Sequence, residues 1–276
     1  MLHILTLTWN AADKLSKLRN SLTPSLAGID YRWHIKDNAS KDDTVAQAST
    51  WGDKVNVIAY KDNAQNFAAG CNYLFKIAEP KDEDYVMLLN NDVVFNDTHS
   101  ISNMISIMER DPEVGAVGAR LLYTDTDRLQ HCGVVFDDRY KLPTHFRTKE
   151  KTDENALKNR EFQVVTGAVI LTKGKYFKNI CTTNVSGMLG MDESYHWAFD
   201  DVDMCLAIKY TMNKKIVYCG NTNIFHEESA SLKKNPANKM FLNHNITHLR
   251  KKWMSKYVID KAIYAKNPKH NLYLET

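Results

Sequence analysis

In DYVMLLNNDVVF, residues 84–95, an apolar run ends in Asn90, Asn91 and Asp92 before the chain turns apolar again. Two readings compete for such a triplet. Asn and Asp tolerate left-handed backbone and bond to their own main chain, which makes a turn. Hard oxygen donors gathered at the mouth of a sheet can instead hold a divalent cation and a nucleotide. FDDVD poses a similar choice, with Asp200, Asp201 and Asp203 at the start of a helical run. Aspartates there cap free N–H groups and complement the dipole, or one of them acts as a general base. His226, in IFHEES, follows a strand and is either an ordinary surface or core histidine or a metal ligand.

The elements that must position these residues alternate. Strands are expected at 2–8, 31–36, 55–60 and 85–89, and helices at 11–26, 42–51 and 66–78, the first marked by Leu15, Leu18 and Leu22 on one face. Strands alternating with helices predict a parallel sheet with right-handed crossovers. In such sheets ligands bind beyond the carboxyl ends of the strands. Three of those ends are polar: Thr8-Trp9-Asn10, Asp37-Asn38 and Asn90-Asn91-Asp92. Together they point to one site. Beyond a helix at 100–110 the pattern becomes irregular, with strands at 114–122, 132–137, 162–171 and 215–219, a helix at 200–211, and a charged, mobile stretch at 149–160. No repeat and no low-complexity tract interrupts the chain.

Composition bounds the answer. With 276 residues, 43% hydrophobic and 25% charged, the chain can bury a large core and is not disordered. No apolar run reaches the roughly 20 residues that cross a bilayer. MLHILTLTWN has no basic n-region or cleavage site and reads as a first strand. Five scattered cysteines without a CxxC argue against a disulfide framework or structural zinc and for a reducing, cytoplasmic setting. The net charge of +3 hides a polarity: residues 231–276 carry ten Lys/Arg against two Asp/Glu. Such a tail is a solvated helix surface or a grip for a polyanion. Leu249, Trp253 and Tyr257 are spaced as one helical stripe within it.

The order of these segments resembles the family-2 glycosyltransferases, inverting enzymes of the GT-A fold that use a sugar nucleotide. TLTWN, IKDNASKDDT, NFAAGCN and LLNNDVVF are similar to that family's successive motifs, the last standing where it carries Asp-x-Asp. The segments at 114–137, 164–177, 196–210 and 224–231 follow in register, so the resemblance covers roughly residues 1–231. It implies an α/β GT-A fold with a mostly parallel central sheet flanked by helices, to which charge and spacing add a basic helical tail. Residues 1–99 would be the nucleotide-binding half, 100–230 the acceptor and catalytic half, and 231–276 an extension.

The resemblance also implies roles. A departing diphosphate accumulates charge, which Mn2+ or Mg2+ stabilises; Asp92 and His226 would be its ligands. Asn90 departs from the family's Asp, loses a charged contact, and is left to bond the ribose, with Asn91 beside it. Asp37 would face a uracil N–H, with Thr8 and Asn10 at the neighbouring strand end, while Trp9 either packs on the base or fills the core. Asn66, Ala69 and Asn72 would lie near the nucleotide. Asp201 would be the base, Asp200 a positioning or acceptor-contact residue, and Asp203 structural. His131 and Trp197 would line the acceptor side; Lys233 and Lys234, beyond the resemblance, would approach the diphosphate if the tail folds over the site.

The expected function is therefore an inverting, metal-dependent transfer of a sugar from a UDP-sugar to a hydroxyl of a glycan or lipid-linked saccharide. An alternative acceptor is a hydroxymethylated base in DNA, with the basic tail on the phosphates. A second alternative is a non-catalytic sugar-nucleotide-binding module, for which Asn90 alone speaks. A dinucleotide dehydrogenase is disfavoured, because no strand runs into a GxGxxG turn.

Overall fold

The computed structural model describes residues 1–61, 66–196, 198–227 and 237–273, by backbone alone at 237–240. Strand β1 (Leu2–Thr8) is buried along almost its whole length, as an apolar strand covered by helices on both faces must be. From it the chain alternates through α1 (Ala12–Ser25), β2 (Tyr31–Asn38), α2 (Thr44–Ala48), β3 (Val55–Tyr60), α3 (Phe67–Ala78) and β4 (Tyr85–Leu89). β1 pairs in parallel with β2 and β4, and β2 with β3. This wing of the sheet is the parallel arrangement that the alternation predicts.

The second half is irregular, as its sequence is. It comprises β5 (Val93–Phe95), α4 (Ser100–Arg110), β6 (Val114–Tyr123), β7 (Leu129–His131), β8 (Val134–Phe136), β9 (Pro143–His145) and β10 (Arg160–Phe162). β11 (Val169–Lys173), α5 (Gly174–Phe177), α6 (Asp200–Tyr210), β12 (Lys215–His226), α7 (Ala237–Trp253) and α8 (Lys261–Lys266) follow. The sheet order is β10-β12-β6-β11-β4-β1-β2-β3, with β5 on β12 and β7 on β6, while β8 and β9 form a separate hairpin. β11 enters antiparallel between β4 and β6, and β12 runs parallel to β6. The sheet is therefore mixed, parallel at the β1–β4 wing.

Two cores cover its faces. Leu15, Leu18 and Leu22 of α1 pack with Met104 and Ile107 of α4 on one side, all buried. On the other, Leu74 of α3, Leu206 and Ile208 of α6, and Leu249, Trp253 and Tyr257 share one cluster. The tail stripe is thus core, and α6 is buried nearly all the way round. The expected strand at 162–171 is split in two, and the segment between β10 and β11 is delivered to the site instead. The last strand runs on to His226 through a register break after Cys219. The stretch expected to be mobile is pinned: Arg147 bonds Glu150 and Asp153, and Ala156, fully buried, accepts from the Tyr218 hydroxyl.

Candidate active site

The polar strand ends meet, and each is tied to the next. Thr8 and Asp37 are register partners on β1 and β2, and the Asn91 amide donates to the Thr8 hydroxyl at 3.1 Å. Asp37 is buried and accepts from the Ser40 N–H at 2.8 Å and from its hydroxyl. Asn10, left-handed at φ 45°, accepts from the Lys41 N–H, which folds the 37–44 turn against the end of β1. Trp9 is 51% exposed at this edge, so it does not fill the core.

Asp92, almost fully buried, lies where β5 meets β12. Its Oδ1 is 3.2 Å from His226 Nε2, and its main-chain oxygen accepts from Glu227 at 2.9 Å. Gln130 of β7 holds the imidazole from behind: His226 Nδ1 donates to Gln130 Oε1 at 2.6 Å, and the Gln130 amide returns a bond to the His226 carbonyl. With Nδ1 engaged by the glutamine, Nε2 is the nitrogen turned toward the Asp92 carboxylate. Two electron-rich atoms at that separation suit a cation between them, and the glutamine behind orients the ring as partners behind metal ligands do. Asn90 stands 3.4 Å from the same nitrogen. Lys14 of α1 lies 3.8 Å from Asp92 and 3.5 Å from Glu227, a cation that sequence reasoning did not single out. No group of three or more His, Cys, Asp and Glu among the described residues is disposed to hold a metal alone.

Asp200 and Asp201 open α6 behind Phe199, whose φ of 73° is costly for a bulky residue. The loop that imposes it is tethered from several directions. Asn66 caps α3 by accepting from the Ala69 N–H, and its amide donates to the carbonyls of Glu193 and Tyr195. Asn72, fully buried, bonds Met191 through both ends of its side chain and Glu193 besides. These asparagines brace the loop, and Asn66 has its amide fully engaged there. From α7, Asn245 donates to the Ala198 carbonyl, His248 and Lys252 bind Asp192, and Trp253 Nε1 donates to Asp203 at 2.7 Å. Burial alone would raise the Asp192 carboxyl, but His248 and Lys252 hold it below the usual carboxylate range.

The Asp201 carboxylate accepts from the N–H groups of Gly167 and Val202, at 2.9 and 2.8 Å. A Cβ on Gly167 would lie 2.9 Å from that of Asp201, so any side chain there would displace it. Asp200 accepts from the Asp201 N–H at 3.0 Å. Its carboxyl is raised to about 7, first by burial and then by the charge of Asp201. Both line a cleft of about 530 Å3, together with Asn90 and His226 and with Phe67, Pro143, Thr144, His145, Thr166, Gly167, His196 and Phe199 among the other walls. Thr8, Asn10, Asp37, Asn91 and Asp92 belong to the adjoining strand ends and are not among its walls. His131 is buried behind it, its imidazole well below the ordinary value through burial first and then through His145 and His226. Trp197, Lys233 and Lys234 lie outside the described residues. Gly167 and His145 carry no signal of their own in one sequence; only Asp201 against the one and His131 against the other give them a place.

A mixed sheet with carboxylates and a histidine gathered at its carboxyl edge, and a buried helix opening on two aspartates, is the architecture of a GT-A nucleotide-sugar transferase. Residues 4–180 match the family model "Glycosyl transferase family 2", and the chain belongs to that family. It is 27% identical over 209 residues to the O-antigen biosynthesis protein RfbC of Myxococcus xanthus, a match spanning 71% of this chain and 15% of that protein. Solved structures share the fold at low identity. They include S. aureus TarS 1-349 (TM-score 0.57, 12% identity, 93% of this chain and 75% of that one). The mannosyltransferase PcManGT from Pyrobaculum calidifontis, solved with GDP-Man and Mn2+, gives 0.62 at 13%, over 97% and 69% of the two chains. GalNAc-T7, solved with UDP, GalNAc and Mn2+, gives 0.67 at 10%, over 98% and 51%. No described helix is long and apolar enough to cross a membrane.

Proposed function

We propose that this chain is an inverting, metal-dependent glycosyltransferase that moves a sugar from a nucleotide sugar, UDP-linked, to a hydroxyl of an uncharged saccharide, free or lipid-linked. The observation that carries the reading is the meeting of His226, 3.2 Å from Asp92, with Asp201 at a single cleft. Asp92 and His226 would hold Mn2+ or Mg2+, the imidazole favouring manganese, with diphosphate oxygens and water completing the set. Such a cation supplies Lewis-acid stabilisation of the charge that develops on a departing diphosphate.

The chain's own residues supply the rest. Thr8, Asn10, Asp37 and Asn91 frame the nucleotide end, where the exposed indole of Trp9 offers a stacking face for the base. Asn90 reaches the ribose side. Asp201, aimed by two backbone N–H groups, takes the acceptor proton as the hydroxyl attacks. Asp200 holds a second carboxyl against it and orients the acceptor. On this reading residues 1–99 are the nucleotide half, 100–230 the catalytic half, and 231–276 an extension whose described part packs on the latter. Five cysteines, four of them buried and none in a disulfide among the described residues, suit a reducing compartment such as the cytoplasm.

An uncharged acceptor is favoured over DNA by the cleft wall. Two aspartates and no lysine or arginine line it among the described residues, which repels phosphate rather than gathering it. The test is a panel of nucleotide sugars with Mn2+, read as nucleotide released. Release from no donor, or release indifferent to EDTA, would sink the reading.

A further inference from the structure

Helix α1 begins directly after the polar end of β1, and its first turns carry Lys14 and Lys17, three positions apart and so on one face. That face meets the Asp92–His226 pair. Lys14 Nζ lies 3.8 Å from Asp92 Oδ2 and 3.5 Å from Glu227 Oε2, and Lys17 Nζ lies 3.6 Å from Glu227 Oε1. Glu227 is tied to the same place by its backbone, its N–H donating to the Asp92 carbonyl at 2.9 Å. From His226 outward the described groups run Asp92, Lys14, Glu227, Lys17, alternating in sign.

Asp92 is thereby divided between two partners. Its Oδ1 is the oxygen 3.2 Å from His226 Nε2, and its Oδ2 faces the ammonium. The carboxylate assigned to a divalent cation already answers a monovalent one. At these separations Lys14 acts on both carboxylates as a point charge, which is the ordinary behaviour of an ammonium on a flexible stem. Asn90, neutral and 3.4 Å from the same imidazole, adds no charge that would offset it.

A fixed positive charge has opposite effects on the two species that meet at this place. It repels a bare divalent cation approaching Asp92 and His226, and it attracts a diphosphate. A diphosphate that completes the ligand set of a cation on Asp92 stands beside that carboxylate, and therefore beside Lys14.

We infer that Lys14 couples the two ligands: it keeps the Asp92–His226 pair weak for a bare divalent cation and admits the cation together with a nucleotide diphosphate. The inference rests on the reading of Asp92 and His226 as the metal ligands.

Both arms are read by binding, on the intact protein. Without nucleotide, Lys14→Met should bind Mn2+, followed by EPR of the free aquo ion, on the order of tenfold more tightly than the parent at low salt, the effect of one unit charge on a divalent neighbour in water. The difference should shrink as salt rises. UDP titrated calorimetrically in EDTA should bind Lys14→Met roughly three- to tenfold more weakly, the value of a partly exposed charged contact. Lys14→Arg, which keeps the charge, should follow the parent in both titrations. Lys17→Met, which reaches only Glu227 in this row and is 63% exposed, should change either by less than about twofold. Mn2+ bound by Lys14→Met no more tightly than by the parent overturns the coupling, and so does unchanged UDP affinity. A Lys14→Arg protein that behaves like Lys14→Met overturns it too, because shape and not charge would then be at issue. If the parent and Lys14→Met both fail to bind Mn2+ even with UDP present, the metal reading of Asp92 and His226 falls and takes the coupling with it; equal Mn2+ affinity in the two overturns the coupling alone.

Discussion

Asp200→Asn separates what this carboxyl does for the reaction from what it does to the fold. Asparagine keeps the shape and an oxygen that can accept from the Asp201 N–H, now 3.0 Å away. What it removes is the charge. Asp200 is raised from 3.8 to about 7 by burial and then by Asp201, so the folded chain holds this proton more tightly than the unfolded one. Stability is then lost as pH rises from about 4 toward 7, and the loss is complete above that. A tenfold change in proton affinity is ~1.4 kcal/mol, which makes the loss roughly 4 kcal/mol. Asparagine cannot ionise, so the variant should match the parent near pH 4 and exceed its Tm by on the order of 5–10 °C near pH 8. Thermal unfolding of both proteins across this range gives the difference, in which titrating groups other than the neighbouring Asp201 cancel. A difference that is flat with pH, or a variant that falls behind on the alkaline side, refutes the argument. The same variant should lose transfer activity, because a buried charge that weakens the fold persists where chemistry requires it.

Asp201→Asn should lower transfer by roughly two to four orders of magnitude while nucleotide binding persists; near-normal turnover would pass the role of base to Asp200. Asp92→Ala should weaken Mn2+ binding measured calorimetrically with UDP present, with a smaller loss for His226→Ala, and parent-like binding in both would move the metal elsewhere. Lys252→Met leaves Asp192 and Asp203 short of a cation and should cost roughly 3 kcal/mol, read as a fall in urea midpoint. Duplex DNA, plain or hydroxymethylated, should not be retained by the parent in a low-salt gel shift; retention that Lys251→Glu with Lys256→Glu abolishes would restore the nucleic-acid acceptor.

The β1–β4 wing was legible because its signals are local. Leu15, Leu18 and Leu22 declare a buried helix face, and Asn90 to Asp92 interrupt an apolar strand where a parallel sheet presents its ligand edge. What escaped depends on partners far along the chain. Asn66 and Asn72 read as nucleotide contacts, yet their amides reach carbonyls of residues 191–195, more than a hundred positions away. β11 looks like any apolar strand, and nothing in VILTK announces that it runs antiparallel between β4 and β6. Gly167 lies unremarked inside the expected strand at 162–171 until Asp201 is found against it. A side chain's chemistry is written in its own letter; its partner is not.

The basic tail shows the same principle at the scale of an element. Its lysines read as either solvated or polyanion-binding, because a charge run carries no record of what faces it. Lys252 does neither. It lies 2.7 Å from Asp192 and 2.6 Å from Asp203, two carboxylates nearly or wholly out of solvent. Buried carboxylates left without a cation or donors are strongly destabilising. Asp203 belongs to the first turn of α6 and Asp192 opens the loop before it, so whatever satisfies them also fixes Asp200 and Asp201. α7 does this three ways, with Lys252 for charge, Trp253 and His248 for directed hydrogen bonds, and Asn245 for the backbone at Ala198. The strained φ of Phe199 persists under that set of contacts. Charge carried by a segment that looks detachable from the rest of the chain is thus part of what holds Asp200 and Asp201 in place.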